Sequence, residues 1–294
     1  MADRPVNIPT KKLKSGFEMP VFGMGTWMMG GDFVRDPGND DAADIEAIKT
    51  AVRMGITHID TAERYAEGHA ERLVGRAIRD FDRSRLFIVS KVGSEHLRYG
   101  DVIASAKASL QRLSTSYLDL YLVHSPNPEI PVEETMAAMD TLVQEGLIRS
   151  VGVSNFSVER LEEAQSKTRS RIVVNQLHFN LIFREPERKG LLHFCQTRDL
   201  MFVAWRPVQK GILSKKGTPL MDEMCRKYGK TPAQIAINWL ISQENVVTLS
   251  KMRRIEHMRE NLGALGWNME ADDIERLRRE FPSQRDVSDA VPII

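Results

Sequence analysis

Eight short apolar runs recur along the chain, each separated from the next by a longer polar or amphipathic stretch: VFGMGTW (21–27), ITHID (56–60), LFIVSKV (86–92), YLDLYLVHS (117–125), RSVGVSN (149–155), IVVNQLHFN (172–180), MFVAWRP (201–207) and NVVTLSK (245–251). Runs this short, apolar and often β-branched suit parallel strands covered on both faces, not the half-polar alternation of a solvated antiparallel sheet. Helix signals fall between them. Asp41 to Met54 carries Ile45, Ile48, Ala51 and Val52 at helical spacing, and Pro131 opens a helix running to Gly146, at a position where its missing N–H costs nothing. Pro232 does the same for PAQIAINWLIS. Eight strand–helix units in 294 residues predict an α/β fold, one (β/α)8 TIM barrel forming a single domain over residues 1–294. An open doubly wound sheet is the alternative, but no strand–turn–helix carries G-x-G-x-x-G: GMGTWM has Gly23 and Gly25, then Met28 where the third glycine belongs. Two pieces lie outside the repeat. KLKSGFEM predicts a hairpin through Ser15-Gly16 before the first strand, and EADDIERLRREF (270–281) an extra C-terminal helix.

Charge narrows the partners. Forty-one Lys and Arg against forty Asp and Glu leave a net charge of +1, so no overall field gathers nucleic acid or anionic membrane. The first twenty residues have no apolar stretch of signal-peptide length, and no run approaches a membrane span. The expectation is a soluble, cytoplasmic monomer acting on a small molecule. Cys195 and Cys225 match no metal-ligand spacing and read as ordinary thiols in a reducing compartment.

Barrels of this class do their chemistry at the carboxyl ends of the strands. Asp60 ends the second run, Lys91 the third and His124 the fourth, and Tyr65 follows Asp60 by five residues. Singly, each has a structural explanation: an aspartate caps a turn, a lysine is a solvated charge, a histidine packs in a core, a tyrosine covers apolar area. Jointly they form a proton relay. An ammonium beside a phenol favours the phenolate, so Lys91 is expected to lower the pKa of Tyr65, while Asp60 keeps a buried Lys91 charged. His124 then orients the same substrate oxygen or shares the proton. A proton donor aimed at an oxygen becoming negative is what reduction of a carbonyl by hydride transfer requires.

These segments resemble the aldo-keto reductases. HIDTAERYAEGHAERLVGRAI resembles that family's D-T-A-x-x-Y-G region, SKV its catalytic-lysine strand and LYLVHSP its histidine strand. GVSNF (152–156), VNQLHFN (174–180) and LSKMRRIEHMRENL (249–262) resemble its later signatures, in the same order and spacing. The resemblance implies that Asp60, Tyr65, Lys91 and His124 are catalytic, and that NADPH, with NADH a candidate second cofactor in view of the departures below, binds extended across the barrel mouth. It implies that Ser154, Asn155 and Gln176 bond the nicotinamide carboxamide and that Trp205, followed by Arg206 and Pro207, stacks on the ring. Lys251 would meet the 2′-phosphate, with Glu260 and Asn261 near the adenine.

Four positions depart from the family's pattern. Ala66 replaces the usual glycine, which strains the loop if that position needs a positive φ. Met252 stands where a serine or threonine usually flanks the phosphate lysine, and His257 where an arginine clamps the 2′-phosphate. An imidazole has no guanidinium fork, so NADPH should be preferred less strongly than in a chain with the full clamp, unless Arg253 or Arg254 compensates. Arg206 stands where serine is common and reads either as a pyrophosphate contact or as half of an ion pair. The loop after the first strand gives Trp27 and Met28, with Met29 and Phe33, as an apolar pocket wall for a small or medium aldehyde or ketone, and the short loop 125–134 together with the short segment 283–294 predicts an open pocket. Two other functions compete. A regulatory subunit that binds the cofactor with little turnover would not need all four catalytic positions filled, and a glycosidase would need a second acid facing Asp60, which the strand ends lack.

Overall fold

In a computed structural model that describes residues 5–294, the expected barrel is present; the first four residues, part of the amino-terminal stretch considered above, lie outside the described residues. A hairpin of β1 (Thr10–Lys12) and β2 (Glu18–Pro20) precedes the barrel strands β3 (Phe22–Gly25), β4 (His58–Asp60), β5 (Phe87–Val92), β6 (Leu120–Val123), β7 (Val151–Ser154), β8 (Ile172–His178), β9 (Met201–Trp205) and β10 (Val246–Ser250). All neighbours in the barrel are parallel, and β10 closes on β3. The open-sheet alternative is thereby excluded. Around the strands run α1 (Asp41–Arg53), α2 (His69–Ile78), α3 (Tyr99–Leu113), α4 (Val132–Gln144), α5 (Val158–Ser166), α6 (Glu185–Arg188), α7 (Leu191–Thr197), α8 (Pro219–Tyr228), α9 (Pro232–Ile241) and α10 (Ile255–Leu262), and the extra helix is α11 (Ala271–Glu280). No helix among the described residues is long and apolar enough to cross a membrane.

The helix starts are encoded locally. Asp40 accepts from the Ala43 N–H to cap α1, Ser157 caps α5, and Thr231 with Gln234 forms a capping box ahead of Pro232. The hairpin turns at Gly16, whose φ of 97° is easily reached without a side chain.

Strand alternation separates two cores. Ile88, Tyr121, Val123, Val151, Val153, Phe202, Ala204 and Val246 pack with the helices, whereas Val89, Leu120, Leu122, Val174, Met201, Val203, Val247 and Leu249 fill the barrel interior. Leu13 and Met19 of the hairpin join the interior set, with Phe17 against it, so the hairpin stoppers the amino-terminal end. Small residues make room for large ones. A Cβ on Gly152 would sit 2.5 Å from a Leu122 methyl, and one on Gly23 would sit 2.3 Å from His58 Nδ1.

His58 occupies that space at 1% exposure, edge-on to Phe87 at 5.5 Å, and neither ring nitrogen has a partner. Burial first, with the charge of Lys91 adding and that of Asp60 opposing, pushes its pKa down to about 4. A depressed histidine pKa means that the unfolded chain takes up the proton first, so stability is full above the ordinary value of 6.5 and is lost as pH falls toward 4. Urea midpoints measured across that window should fall further for the native chain than for His58→Leu, by up to about 3 kcal/mol at the acid end; parallel curves would show that His58 contributes nothing.

Candidate active site

The inward parity of the interior core, carried one step toward the carboxyl ends, selects the polar residues of the mouth. Val89 leads to Lys91, Leu122 to His124, Val174 to Gln176, Val203 to Trp205 and Leu249 to Lys251, with Asp60 two residues beyond His58 on β4. The same alternation that fills the barrel with aliphatic side chains therefore aims a polar layer into its opening.

At the centre of that layer Lys91, 1% exposed, donates from Nζ to Asp60 Oδ1 at 2.6 Å, to the Thr61 carbonyl at 2.9 Å and to the Tyr65 hydroxyl at 3.3 Å. The other oxygen of Asp60 accepts from Gln176 Nε2 at 2.9 Å, so a bond spans the barrel from β4 to β8. Burial is the largest single influence on Lys91 and works against its charge, but Asp60 and Tyr65 together outweigh it and raise the pKa above the ordinary 10.5. Lys91 is an ammonium.

Tyr65 departs from expectation. Burial outweighs the pull of Lys91 and, with Asp60 adding to it, raises the phenol above its usual value, so Tyr65 is a neutral phenol and not an acidified one. His124 packs edge-on against it at 5.6 Å and lies just past β6, half-buried, with Nδ1 unpartnered. Burial, then the charges of Lys91 and Arg64, push its pKa well below 6.5, which leaves the imidazole neutral.

The loop carrying Tyr65 is held from outside. Ala66 and Glu67 have φ of 49° and 55°, so the position where the resembled family has glycine does need the left-handed conformation. Alanine there costs about 1 kcal/mol, and the conformation is fixed by Ala66 and Glu67 N–H groups donating to the Asp32 and Phe33 carbonyls at 2.6 and 3.1 Å. Trp27, from the same loop as Asp32, lies edge-on to Tyr65 at 5.0 Å and beside Phe33 at 4.7 Å. Met28 is 41% exposed, but Met29 is fully buried and belongs to the core, a correction to its expected place in the pocket wall.

On the far side of the mouth, Ser154 donates to the Gln176 carbonyl at 2.8 Å, and Asn155, with φ of 63°, donates from Nδ2 to the His124 carbonyl and Ser154 Oγ, both at 3.0 Å. Asn155 Oδ1 is buried without a partner. Trp205 is only partly buried and is stacked on one face by His178, 4.2 Å away and 9° from parallel, with Phe183 stacked behind His178 at 4.4 Å. Arg206 has φ of 59° and pairs with Asp289 at 3.1 Å. Pro207 is buried beside it.

Lys251 makes no hydrogen bond or ion pair among the described residues, and burial followed by the nearby charge of Arg253 lowers its pKa. Met252 is 1% exposed and packs in the core, so its side chain cannot stand in for the phosphate-binding hydroxyl. Arg253 is committed elsewhere: its Nη2 donates to the Met28 carbonyl, Asn39 Oδ1 and Asp44 Oδ2 at 2.7, 2.9 and 3.0 Å. Arg254 meets His257 Nε2 at 2.6 Å on the exposed side of α10, where Glu260 is half-buried and Asn261 buried. Among the described residues no cluster of side chains is arranged to hold a metal ion.

The segment expected to leave the pocket open instead crosses the mouth. Ser288 Oγ meets His178 Nδ1 at 2.8 Å, Gln209 meets His178 Nε2 at 2.9 Å, the Ser288 N–H donates to Glu185, and the Ile294 N–H reaches the Asn155 carbonyl at 3.3 Å. Sequence reasoning missed this arrangement. His178 had a detectable signal, since it lies two residues beyond Gln176 on the same inward face, but nothing in Ser288 or Asp289 announces where a segment without regular structure will lie.

The sequence pattern of the Aldo/keto reductase family matches residues 21–279. A methylglyoxal reductase of Escherichia coli strain K12 is 32% identical over 271 residues, covering 91% of this chain and 93% of its own. Among solved structures, a thermostable aldo-keto reductase, Tm1743, in complex with the inhibitor epalrestat superimposes with a TM-score of 0.89 at 46% identity, covering 92% of this chain and 99% of its own. An aldo-keto reductase from Klebsiella pneumoniae in complex with NADPH gives 0.83 at 33% identity, covering 96% and 98%. With its barrel, its stoppered end and a match over most of its length, the chain belongs to the aldo/keto reductase family of oxidoreductases.

Proposed function

We propose that this chain reduces small aldehydes and ketones to alcohols with NADPH, and that Tyr65 gives the proton. The observation that carries the reading is the buried Lys91 ammonium, 2.6 Å from Asp60 and 3.3 Å from the Tyr65 hydroxyl. Bound NADPH supplies the hydride that the carbonyl carbon accepts. As negative charge grows on the carbonyl oxygen, the Tyr65 hydroxyl releases its proton to it, and the Lys91 ammonium stabilises the phenolate left behind. The raised pKa of Tyr65 does not obstruct this step, because an alkoxide is a far stronger base than a phenolate. His124, neutral at pH 7, has no spare proton to release as an acid; its one N–H orients the carbonyl oxygen. Solvent then reprotonates Tyr65.

The residues present suit the cofactor. A carboxamide brings two N–H donors, and Asn155 Oδ1 is a buried acceptor without a partner, beside Ser154 and Gln176. Trp205, with Arg206 and Pro207 next to it, offers its ring for stacking, stiffened from behind by His178. Lys251 is the phosphate contact, and His257, Glu260 and Asn261 flank the adenosine end. Trp27 and Met28 line the substrate side. The similarity to a methylglyoxal reductase favours small aldehydes carrying a second carbonyl. A monomer working in the cytoplasm completes the proposal.

Tyr65→Phe should lower kcat for methylglyoxal about a thousandfold and leave NADPH binding, followed by tryptophan fluorescence, within about twofold of the native value; retained turnover would assign the proton to another group. Asp60→Asn leaves a buried ammonium without its counter-charge, so chemical denaturation should show a loss of about 3 kcal/mol together with loss of turnover. Steady-state kinetics should give an NADPH over NADH preference below about a thousandfold, rising about tenfold in His257→Arg as a guanidinium fork replaces one imidazole donor. No rise in that variant would mean that His257 does not face the phosphate.

A further inference from the structure

We propose that Arg206 is a seat for an anionic oxygen group at the barrel mouth, and that Asp289 of the C-terminal segment fills the seat until a ligand displaces it. The inference rests on the reading of this mouth as a carbonyl-reducing site and adds what that site selects.

The backbone is the first indication. Arg206 follows β9 with φ of 59°, a conformation that few residues with a side chain adopt, and Asn180 Nδ2 fixes it by donating to the Arg206 carbonyl at 2.9 Å. An arginine held in a disfavoured conformation by a buried amide is positioned, not incidental. Its guanidinium lies over the Trp205 ring, 5.1 Å from the ring centre, beside the surface that a nicotinamide would share, and its charge acts on the Tyr65 phenol.

The guanidinium is also under-used. It makes one hydrogen bond among the described residues, from Nη1 to Asp289 Oδ1 at 3.1 Å, although its fork can grip a carboxylate or phosphate with two. Asp289 is held loosely in turn: its second oxygen takes only a long 3.3 Å bond from Gln209 Nε2, and its side chain is 35% exposed. The flanking residues are anchored independently, Ser288 to His178 and Glu185 and Ile294 to the Asn155 carbonyl, so Asp289 can yield the guanidinium without the segment leaving the barrel. A carboxylate resting on half of an arginine fork is the arrangement expected of an internal stand-in.

Two ligands bring such a group to this place: a carbonyl substrate that carries a carboxylate, and the pyrophosphate of the dinucleotide. Two measurements on Arg206→Met and Asp289→Asn tell them apart, with Arg206→Lys as a variant that keeps the charge but not the fork. The first is kcat/KM for succinic semialdehyde and for its methyl ester; the second is the Kd of NADPH from tryptophan fluorescence with no aldehyde present. If the substrate fills the seat, Arg206→Met lowers kcat/KM for the acid about tenfold more than for the ester, Asp289→Asn raises it, and the NADPH Kd stays put. If the pyrophosphate fills it, Arg206→Met raises the NADPH Kd about tenfold, Asp289→Asn lowers it, and the two aldehydes change together. Arg206→Lys should fall between native and Met in whichever measurement responds. Changes below about twofold in both measurements, in all three folded variants, overturn the proposal and leave a structural ion pair. Failure of the native chain to reduce either aldehyde, with the NADPH Kd still shifting as described, would instead remove the carbonyl-reductase reading and keep the seat.

Discussion

The polar layer of this barrel is organised by an ammonium that cannot reach water. Lys91 is enclosed where β5 ends, and a bare charge there would either lose its proton or destabilise the fold by several kcal/mol. Asp60 prevents both outcomes, and the geometry that lets it do so is global. The second oxygen of Asp60 is held by Gln176 from across the barrel, so the pair is fixed only when β4, β5 and β8 share one closed cylinder with the right stagger. The closing of the barrel and the charge state of its mouth are therefore one condition seen at two scales.

From that pair outward, each neighbour inherits its protonation from burial and field. The pKa of the Tyr65 phenol lies above its ordinary value because burial exceeds the pull of Lys91, and the imidazole of His124 stays neutral because burial and the same ammonium act on it in one direction. The sequence reasoning that expected an acidified tyrosine counted the cation and omitted the desolvation. Two groups beside one charge thus end in protonation states that a pairwise argument gets half right.

Much of the fold was legible, and the reason is period. A strand with one face toward helices and one toward the barrel interior has no exposed side, so all eight runs read as apolar and their carboxyl ends led to Asp60, Lys91 and His124, while Gln176 and Trp205 came from the resemblance. Local chemistry announced the helix starts near Pro131 and Pro232 and the turn at Gly16, but not the caps at Asp40 and Thr231. What stayed hidden depends on contacts between distant segments. Nothing near Met29 tells a core side chain from a pocket wall, since either role suits a methionine. Nothing near Arg253 says that its donors go to Met28, Asn39 and Asp44. The course of residues 283–294 is set by His178, Glu185 and Arg206, more than eighty residues earlier in the chain, and no periodicity records it.

The hairpin that stoppers the barrel with Leu13 and Met19 has a consequence for traffic. A cylinder sealed at one end has a single doorway, so whatever settles deepest must arrive first and can depart only after what lies above it has gone. Order of exchange is thereby imposed by topology, before any affinity is considered. A segment pinned across that doorway at Ser288 and Ile294 narrows it further, so the same strip of chain borders every path in or out.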